Sequence, residues 1–388
     1  MAINLTQADS ALKSYYLDVV KDQLNLCANP FLAQIKQSNN YVYGKDVKKI
    51  VTLGVNGGFG AGTEDGSLPN ASGSNYKTFT TTLKNLYGTI EITDKAIRAS
   101  KNDAGAFVNL LTAEMENLVK ASKYNFGRML FGDGTGVLTT VAQSLEAFLA
   151  VDSAKNLEAG MIIDIVDENG VVVENGKARK IIGVDKHNDT INLEGGTSGF
   201  EVGNKIVLQG SYGNEMTGIS EIFNRAKPIY GVDRAEYHEL YPYTKNITSE
   251  ITELDIQTAI DTIEERSNSK VNFIICSYGV RRALQKLFAS SMTRVETVEL
   301  SGGYKTMSYN GIPIVADKFC PEGTMYLLNT DDFTIHQLCD WQWLEGEDGT
   351  VLKQIPGKPV YTATLVKYAD LMCDRICGQG QITNIPEA

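Results

Sequence analysis

The stretch LGVNGGFGAGTEDGSLPNASGSNYKTF, Leu53 to Phe79, carries seven glycines between Gly54 and Gly73, and its reading decides between two kinds of fold. A phosphate-cradling loop needs G-x-G-x-x-G closing a strand and opening a helix, so that the helix's first amides face a pyrophosphate. The register fails here, because Gly58 and Gly60 are followed by Thr63, and Gly60 and Gly62 by Asp65. The next residues, NYKTFTTTLKNLYGTIEIT, are rich in Thr, Tyr, Phe and Ile and predict a strand rather than a helix. With YVYGKDVKKIVTL (41–53) before it and a strand running to about Thr93 after it, the glycine tract is expected to be the tip of a long hairpin. A polar tip of that length is uncommon in a compact domain and is usually functional or mobile.

The chain around this hairpin is 388 residues long, enough for two or three domains, with 43% hydrophobic and 21% charged residues, as a globular protein has. Its formal net charge of −11 disfavours a surface that grips nucleic acid, which needs dense Lys and Arg. The N-terminus MAINLTQADSALKSYYLDVV lacks the basic start and apolar run of a signal peptide, and no apolar stretch approaches bilayer length, so no membrane partner is expected.

Residues 1–40 are expected to form an N-terminal arm, with Leu12, Tyr16, Val19, Val20, Leu24 and Leu26 at helical spacing and Pro30 closing the run. After the hairpin (41–95) comes the strongest helical pattern, about Asp103 to Phe131. Phe107, Leu110, Leu111, Met115, Leu118, Val119, Phe126 and Met129 mark its apolar stripe, Asn102 or Asp103 offers an N-cap, and GDGTG stops it. Such a helix would run roughly 40 Å, a strut through its domain (96–150).

From about Leu157 to Gln209, short Val and Ile runs alternate with turns at Asn169-Gly170, Asn175-Gly176 and Asn188-Asp189, the pattern of a small antiparallel barrel inserted over about 151–212. Inside it GVVVENGKA imitates a P-loop. Five residues separate Gly170 from Gly176 where four are needed, however, and Ala178 stands where Ser or Thr must reach magnesium. Beyond it (213–340) an α/β alternation predicts a sheet flanked by helices at about 253–267 and 278–291, and residues 341–388 return as long strands, VYTATLVKYADLMCDRI above all.

Chemistry is sparse. No G-x-S-x-G, H-E-x-x-H or EF-hand pattern occurs, and no catalytic, cofactor-binding or metal-ligating residue is assigned. Cys27, Cys276, Cys320, Cys339, Cys373 and Cys377 form no C-x-x-C pair and are expected as reduced, mostly buried thiols. His187, His238 and His336 lie far apart, and Glu345, Glu347 and Asp348 are expected in a solvated turn.

The order of parts, with two segments, carries a resemblance. GSYGNEMTGISEIF (Gly210 to Phe223) followed by VDRAEYHELYP is similar to the G-x-x-G link between strut region and apical domain in the major capsid proteins of tailed bacteriophages, and YNGIPIVADKFCPEGTMYLLNTDDF (Tyr309 to Phe333) resembles a later stretch of the same family. The chain thus resembles an α+β protein of the Hong Kong 97 capsid fold: N-terminal arm, extended hairpin, long strut helix, α/β axial domain and an inserted small β-barrel.

That resemblance implies a structural protein without enzymatic activity or cofactor, assembling with itself as hexamers and pentamers into an icosahedral shell. It also implies a scaffolding protein and a portal as partners, double-stranded DNA as contents, and a virion capsid made in the host cytoplasm as its place. Gly57, Gly58, Gly60, Gly62, Gly66 and Gly73 would then be assembly contacts, giving one sequence the freedom to fit hexamers and pentamers. Two alternatives stand beside it: an encapsulin-like cellular compartment in the same architecture, and a nucleotide-dependent α/β enzyme.

Overall fold

The computed structural model describes residues 29–101, 110–145, 147–197, 199–290, 297–300, 304–345 and 349–387. The amphipathic run of the arm, Cys27, the expected caps Asn102 and Asp103, Phe107, and Glu347 and Asp348 lie outside the described residues.

The backbone of the molecule is one long strand, Val360–Cys373, whose β-branched and aromatic residues pair on both edges. On one side it runs antiparallel to Phe333–Trp343, on the other to Lys84–Thr93 along ten residue pairs from Val360↔Thr93 to Ala369↔Lys84. Short strands Lys36–Ser38 and Lys353–Gln354 complete this sheet. The sequence reading carried the hairpin's return strand unbroken to Thr93. The structure divides it at Leu83: Asn75–Thr82 pairs with Asp46–Leu53, and Lys84–Thr93 leaves to join the long strand. The break is small in sequence, since Leu83 keeps the β-rich composition, but its amide turns aside to the Lys45 carbonyl and its side chain is buried.

The strut helix is described from Leu110 to Met129. Its last turns enter the main core, where Phe126, Met129, Leu130 and Phe131 are buried with Phe31, Phe79, Phe333 and Leu371. Phe126 meets Trp341 edge-on at 6.0 Å, and the buried Lys367 ammonium lies 5.2 Å from the Phe126 ring centroid while donating to Gln337 Oε1 and Asp340 Oδ1.

The barrel is closed and six-stranded, in the order Thr190–Leu193, Leu149–Val151, Val137–Ser144, Lys205–Leu208, Ile162–Val166, Arg179–Asp185. It begins earlier than its turn pattern suggests. Val137–Ser144 and Leu149–Val151, taken from sequence as part of the strut's domain, supply two of the six strands because Leu138, Val141, Leu149 and Val151 lie in the barrel's own core with Ile163, Ile165, Ile181 and Ile206.

The α/β region forms a seven-stranded sheet with a separate core. Helix Glu253–Ser267 opens on a capping box, Thr252 with Asp255, and helix Tyr278–Ser290 follows strand Phe273–Cys276. One strand arrives from a region expected to belong to the return strands. Gly380–Thr383 pairs parallel with Tyr243–Asn246 and antiparallel with Met325–Leu328. Four residues are too few to show a period in the sequence, so only the pairing reveals them.

Candidate functional site

The hairpin has a welded base and a free tip. At the base, Val47 and Phe79 point inward and are fully buried, and the Phe79 ring packs on Tyr230 at 5.4 Å. The Thr80 amide donates to the Tyr230 carbonyl at 2.9 Å, and Lys49 reaches Asp374 at 2.5 Å. The centre of the weld is Asp370, wholly buried on the long strand. It accepts from the Thr81 hydroxyl of the hairpin, and from the Thr217 amide at 2.7 Å and hydroxyl at 3.3 Å in the Gly210–Phe223 link. Burial pushes its carboxyl up to about 6, against the pull of these donors. Directly opposite in the sheet sits His336, also buried, whose Nδ1 lies 3.0 Å from the Asn40 carbonyl and whose pKa burial lowers.

The link packs against the end of the strut. Met216, Ile219, Ile222 and Phe223 are buried, the Ile219 amide donates to the Leu130 carbonyl, and Ser220 Oγ donates to the Phe131 carbonyl at 2.6 Å. A Cβ at Gly218 would collide with the Met129 and Gly132 carbonyls, so the link can lie against the strut's last turn only with glycine there. Arg128, near the end of the strut, holds Glu215 by a two-pronged buried ion pair at 2.9 and 2.5 Å; removing one partner from such a pair costs about 3–5 kcal/mol. Arg234, fully buried, donates to the carbonyls of Glu221, Ile222, Lys227 and Leu240, and burial lowers its pKa.

The tip is the opposite case. Gly57, Gly58, Gly60, Gly62, Gly66 and Gly73 are brought together on it, Gly58 half-buried and the others exposed. None has a left-handed φ. The glycine that needs one is Gly54, at +78°, where the chain leaves the strand, a position the sequence reading did not single out. Among the described residues the hydrogen bonds of residues 55–74 stay within the tip, such as Gly58 N to Asn56 Oδ1 at 2.8 Å and Gly66 N to the Thr63 carbonyl at 3.1 Å. Phe59, Val55 and Leu68 are 95%, 92% and 88% exposed. None of the described residues covers them.

The other residues weighed from sequence sit elsewhere in the fold. Cys276, Cys320 and Cys373 are buried free thiols, Cys339 and Cys377 half-buried ones. Among the described residues no three His, Cys, Asp or Glu side chains gather as metal ligands, and no helix is long and apolar enough to cross a membrane. The P-loop imitation is a turn: Asp167 Oδ1 accepts from the Asn169 and Val171 amides. Asp370 and Glu215 were not singled out from sequence, although an acid inside the apolar run LVKYADLMC is a visible signal of a buried, bonded carboxylate; Arg128, which the helical pattern places outside the strut's apolar stripe, is instead buried by its pair with Glu215.

No protein-family model matches the chain, and no curated protein matches it in sequence. Its fold, in contrast, is matched along nearly the whole length by solved shells. The capsid asymmetric unit of cyanophage A-1(L) aligns at a TM-score of 0.58 and 13% identity over 95% of this chain and 96% of that one. The capsid of a native GTA particle aligns at 0.52 and 11% over 98% and 99%. A holo-SrpI encapsulin complex from Synechococcus elongatus aligns at 0.53 and 10% over 99% and 96%. The chain has the Hong Kong 97-type capsid fold, with a closed six-stranded barrel among its parts. Phage capsids and an encapsulin share that fold equally.

Proposed function

We propose that this chain is the major capsid subunit of a tailed bacteriophage, assembling with itself as hexamers and pentamers into an icosahedral shell around double-stranded DNA. The observation that carries this reading is the hairpin tip: a segment of some twenty residues with its largest apolar side chains bare, on a fold whose solved examples are shells. A polar, glycine-rich loop loses conformational entropy on ordering and gains little from its own chain, so its ordering is offset by another subunit's surface. The peripheral domain is then the strut with its long-stranded sheet, and the axial domain is the seven-stranded sheet. A scaffolding protein and a portal are the expected partners, and synthesis takes place in the host cytoplasm. An acidic chain suits a container that must release its cargo, since dense phosphate contacts would hold it.

The likeness to an encapsulin supports a second reading, a cellular compartment shell. Sedimentation and electron microscopy of the purified chain, with and without a scaffold, test both: closed shells are expected, and a monomer under every condition that binds nucleotide would favour an enzyme instead. Particles isolated from cells that naturally make the chain should protect DNA from nuclease, whereas protein contents without DNA would select the encapsulin reading.

A further inference from the structure

Four Asn-Gly pairs occur in the chain, at Asn56, Asn169, Asn175 and Asn310. In such a pair the asparagine amide is open to attack by the next backbone nitrogen, because glycine puts no Cβ beside that nitrogen and leaves its dihedrals free for the approach. Whether the reaction runs depends on what holds each pair, and the fold treats the four differently.

Three are held. The Gly170 amide donates to the Asp167 carbonyl at 3.1 Å and the Gly176 amide to the Val173 carbonyl at 2.9 Å, so neither nitrogen can lose its proton without first giving up a bond. Asn310 and Gly311 fill the two-residue turn between Tyr309 and Ile312 at φ +49° and +80°, and Asn310 Nδ2 donates to Gln257 Oε1 at 3.1 Å, which fixes both backbone and side chain. Asn56 is the reverse case. It is exposed, just beyond the last strand pair, Leu53↔Asn75, and among the described residues the Gly57 amide has no acceptor. The Asn56 side-chain carbonyl already accepts from the Gly58 amide at 2.8 Å, a donor aimed at the oxygen on which negative charge develops when Cγ is attacked.

We propose that Asn56-Gly57 is a self-modification site, converted in the free subunit through a succinimide, and that the conversion removes the subunit from assembly. Gly57 N loses its proton to solvent base and bonds to Asn56 Cγ, and Nδ2 leaves as ammonia with a proton returned from solvent. Water then opens the ring at Cγ, giving aspartate at position 56, or at the main-chain carbonyl, giving the isoaspartyl linkage, in which the backbone runs through the former side chain. Water is taken up, ammonia is released, and nothing is oxidised. Either product carries a new negative charge, and the second also lengthens the backbone by a carbon. Both fall at the neck of the tip, where Asn56 Nδ2 reaches Ser74 Oγ of the opposite arm at 3.4 Å, a donor that departs with the ammonia. The chemistry stands on the subunit alone; its effect on assembly rests on the shell reading.

The first arm of the test needs only the purified full chain. Free subunits at neutral pH, and a parallel sample in urea, are digested over time, each Asn-Gly peptide is followed by mass spectrometry, and isoaspartyl methyltransferase reports the rearranged linkage. Folding should slow conversion at Asn169, Asn175 and Asn310 by about tenfold or more and leave Asn56 at least as fast as in urea. Gly57→Ala, whose added carbon meets only the Ser72 side chain, at 3.2 Å, should slow conversion at position 56 by about tenfold with unchanged subunit melting. An Asn56 slowed by folding as much as the other three overturns the site. In the second arm, partly converted subunits are assembled and shells are separated from what stays free. The converted chain should be about tenfold enriched in the free fraction, and equal content in both fractions overturns its effect on assembly. If the chain forms no shells, the shell reading and that effect fall together, while the peptide map still decides the site.

Discussion

The hairpin tip and the barrel draw on the same residues and use them in opposite ways. Both are rich in Gly and Asn, and both were suspected of imitating phosphate loops. In the barrel, a glycine such as Gly170 takes φ +84° beneath the Tyr212 ring, with no room for a Cβ, and so fixes a turn between strands that bury Ile163, Ile165 and Ile181. In the tip, the glycines lie beyond the last strand pair, Leu53↔Asn75, and no apolar side chain between them is buried. The difference teaches that glycine content alone does not separate a rigid part from a free one. What separates them is whether the residues between the glycines have a core to enter.

The sharpest way to break that comparison is to truncate one apolar side chain in each region. Ile165→Ala, inside the barrel, should cost about 2–5 kcal/mol of the stability of the unit that unfolds with it, through lost transfer energy and the cavity left behind. Phe59→Ala, at the tip, should change subunit stability by less than about 0.5 kcal/mol. Urea unfolding of the two purified variants measures both. Equal losses would mean that the tip packs on its own subunit and that the contrast is false.

What the sequence revealed follows the same line. Strong periods were readable: the strut's stripe, the α/β alternation, the long terminal strand and the barrel's Asn-Gly turns all recur as elements. Pairing was not. Lys84–Thr93 reads as a continuation of the hairpin because composition does not say which neighbour a strand will choose, and the first two barrel strands read as part of the strut's domain because their turns lack Asn-Gly. The partners of the buried polar groups were illegible for a related reason. Asp370 joins segments around residues 81, 217 and 370, and Arg128 joins 128 to 215, so each has meaning only after distant chain is brought together.

A smaller effect sharpens the distinction between the hairpin's welded base and its free end. Asp370 has its carboxyl raised from 3.8 to about 6, so the folded protein holds a proton that the unfolded chain releases. The stability this contributes is fully present below about pH 4 and is lost as pH rises through about 6, a change on the order of 2–3 kcal/mol. Asp370→Asn keeps an acceptor for the Thr217 amide and carries no charge. The variant should therefore match the parent near pH 4 and gain on it towards pH 7. Asp317, also raised to about 6, and His336, which burial lowers and which opposes both, are common to the two proteins and cancel in the difference. Parallel stability curves from pH 4 to 7 would show that Asp370 does not titrate in the fold.

The smallest expected effect on the subunit belongs to the tip glycines, and there the comparison is most exposed. With Val in place of Gly57, Gly58 and Gly60, the first added carbons would meet Ser72 Oγ at 3.2 Å, Asn56 Oδ1 at 3.0 Å and the Pro69 ring at 3.1 Å. All three neighbours belong to the tip, so any adjustment stays there and the melting temperature of the subunit should hardly move. Deleting residues 57–73 should likewise spare the fold, because the pairs from Asp46↔Thr82 to Leu53↔Asn75 and the weld at Asp370 remain. Assembly should respond to both variants. Valine narrows the backbone conformations open to the tip, disfavouring some of those that distinct lattice positions need, and aberrant or smaller particles should result. The deletion removes the contact altogether and should leave free subunits or open fragments. Melting curves and counts of closed particles by electron microscopy decide it. Uniform closed shells from the deletion variant would take the hairpin out of assembly, and the bare Phe59, Val55 and Leu68 would then have to be covered by something other than a neighbouring copy.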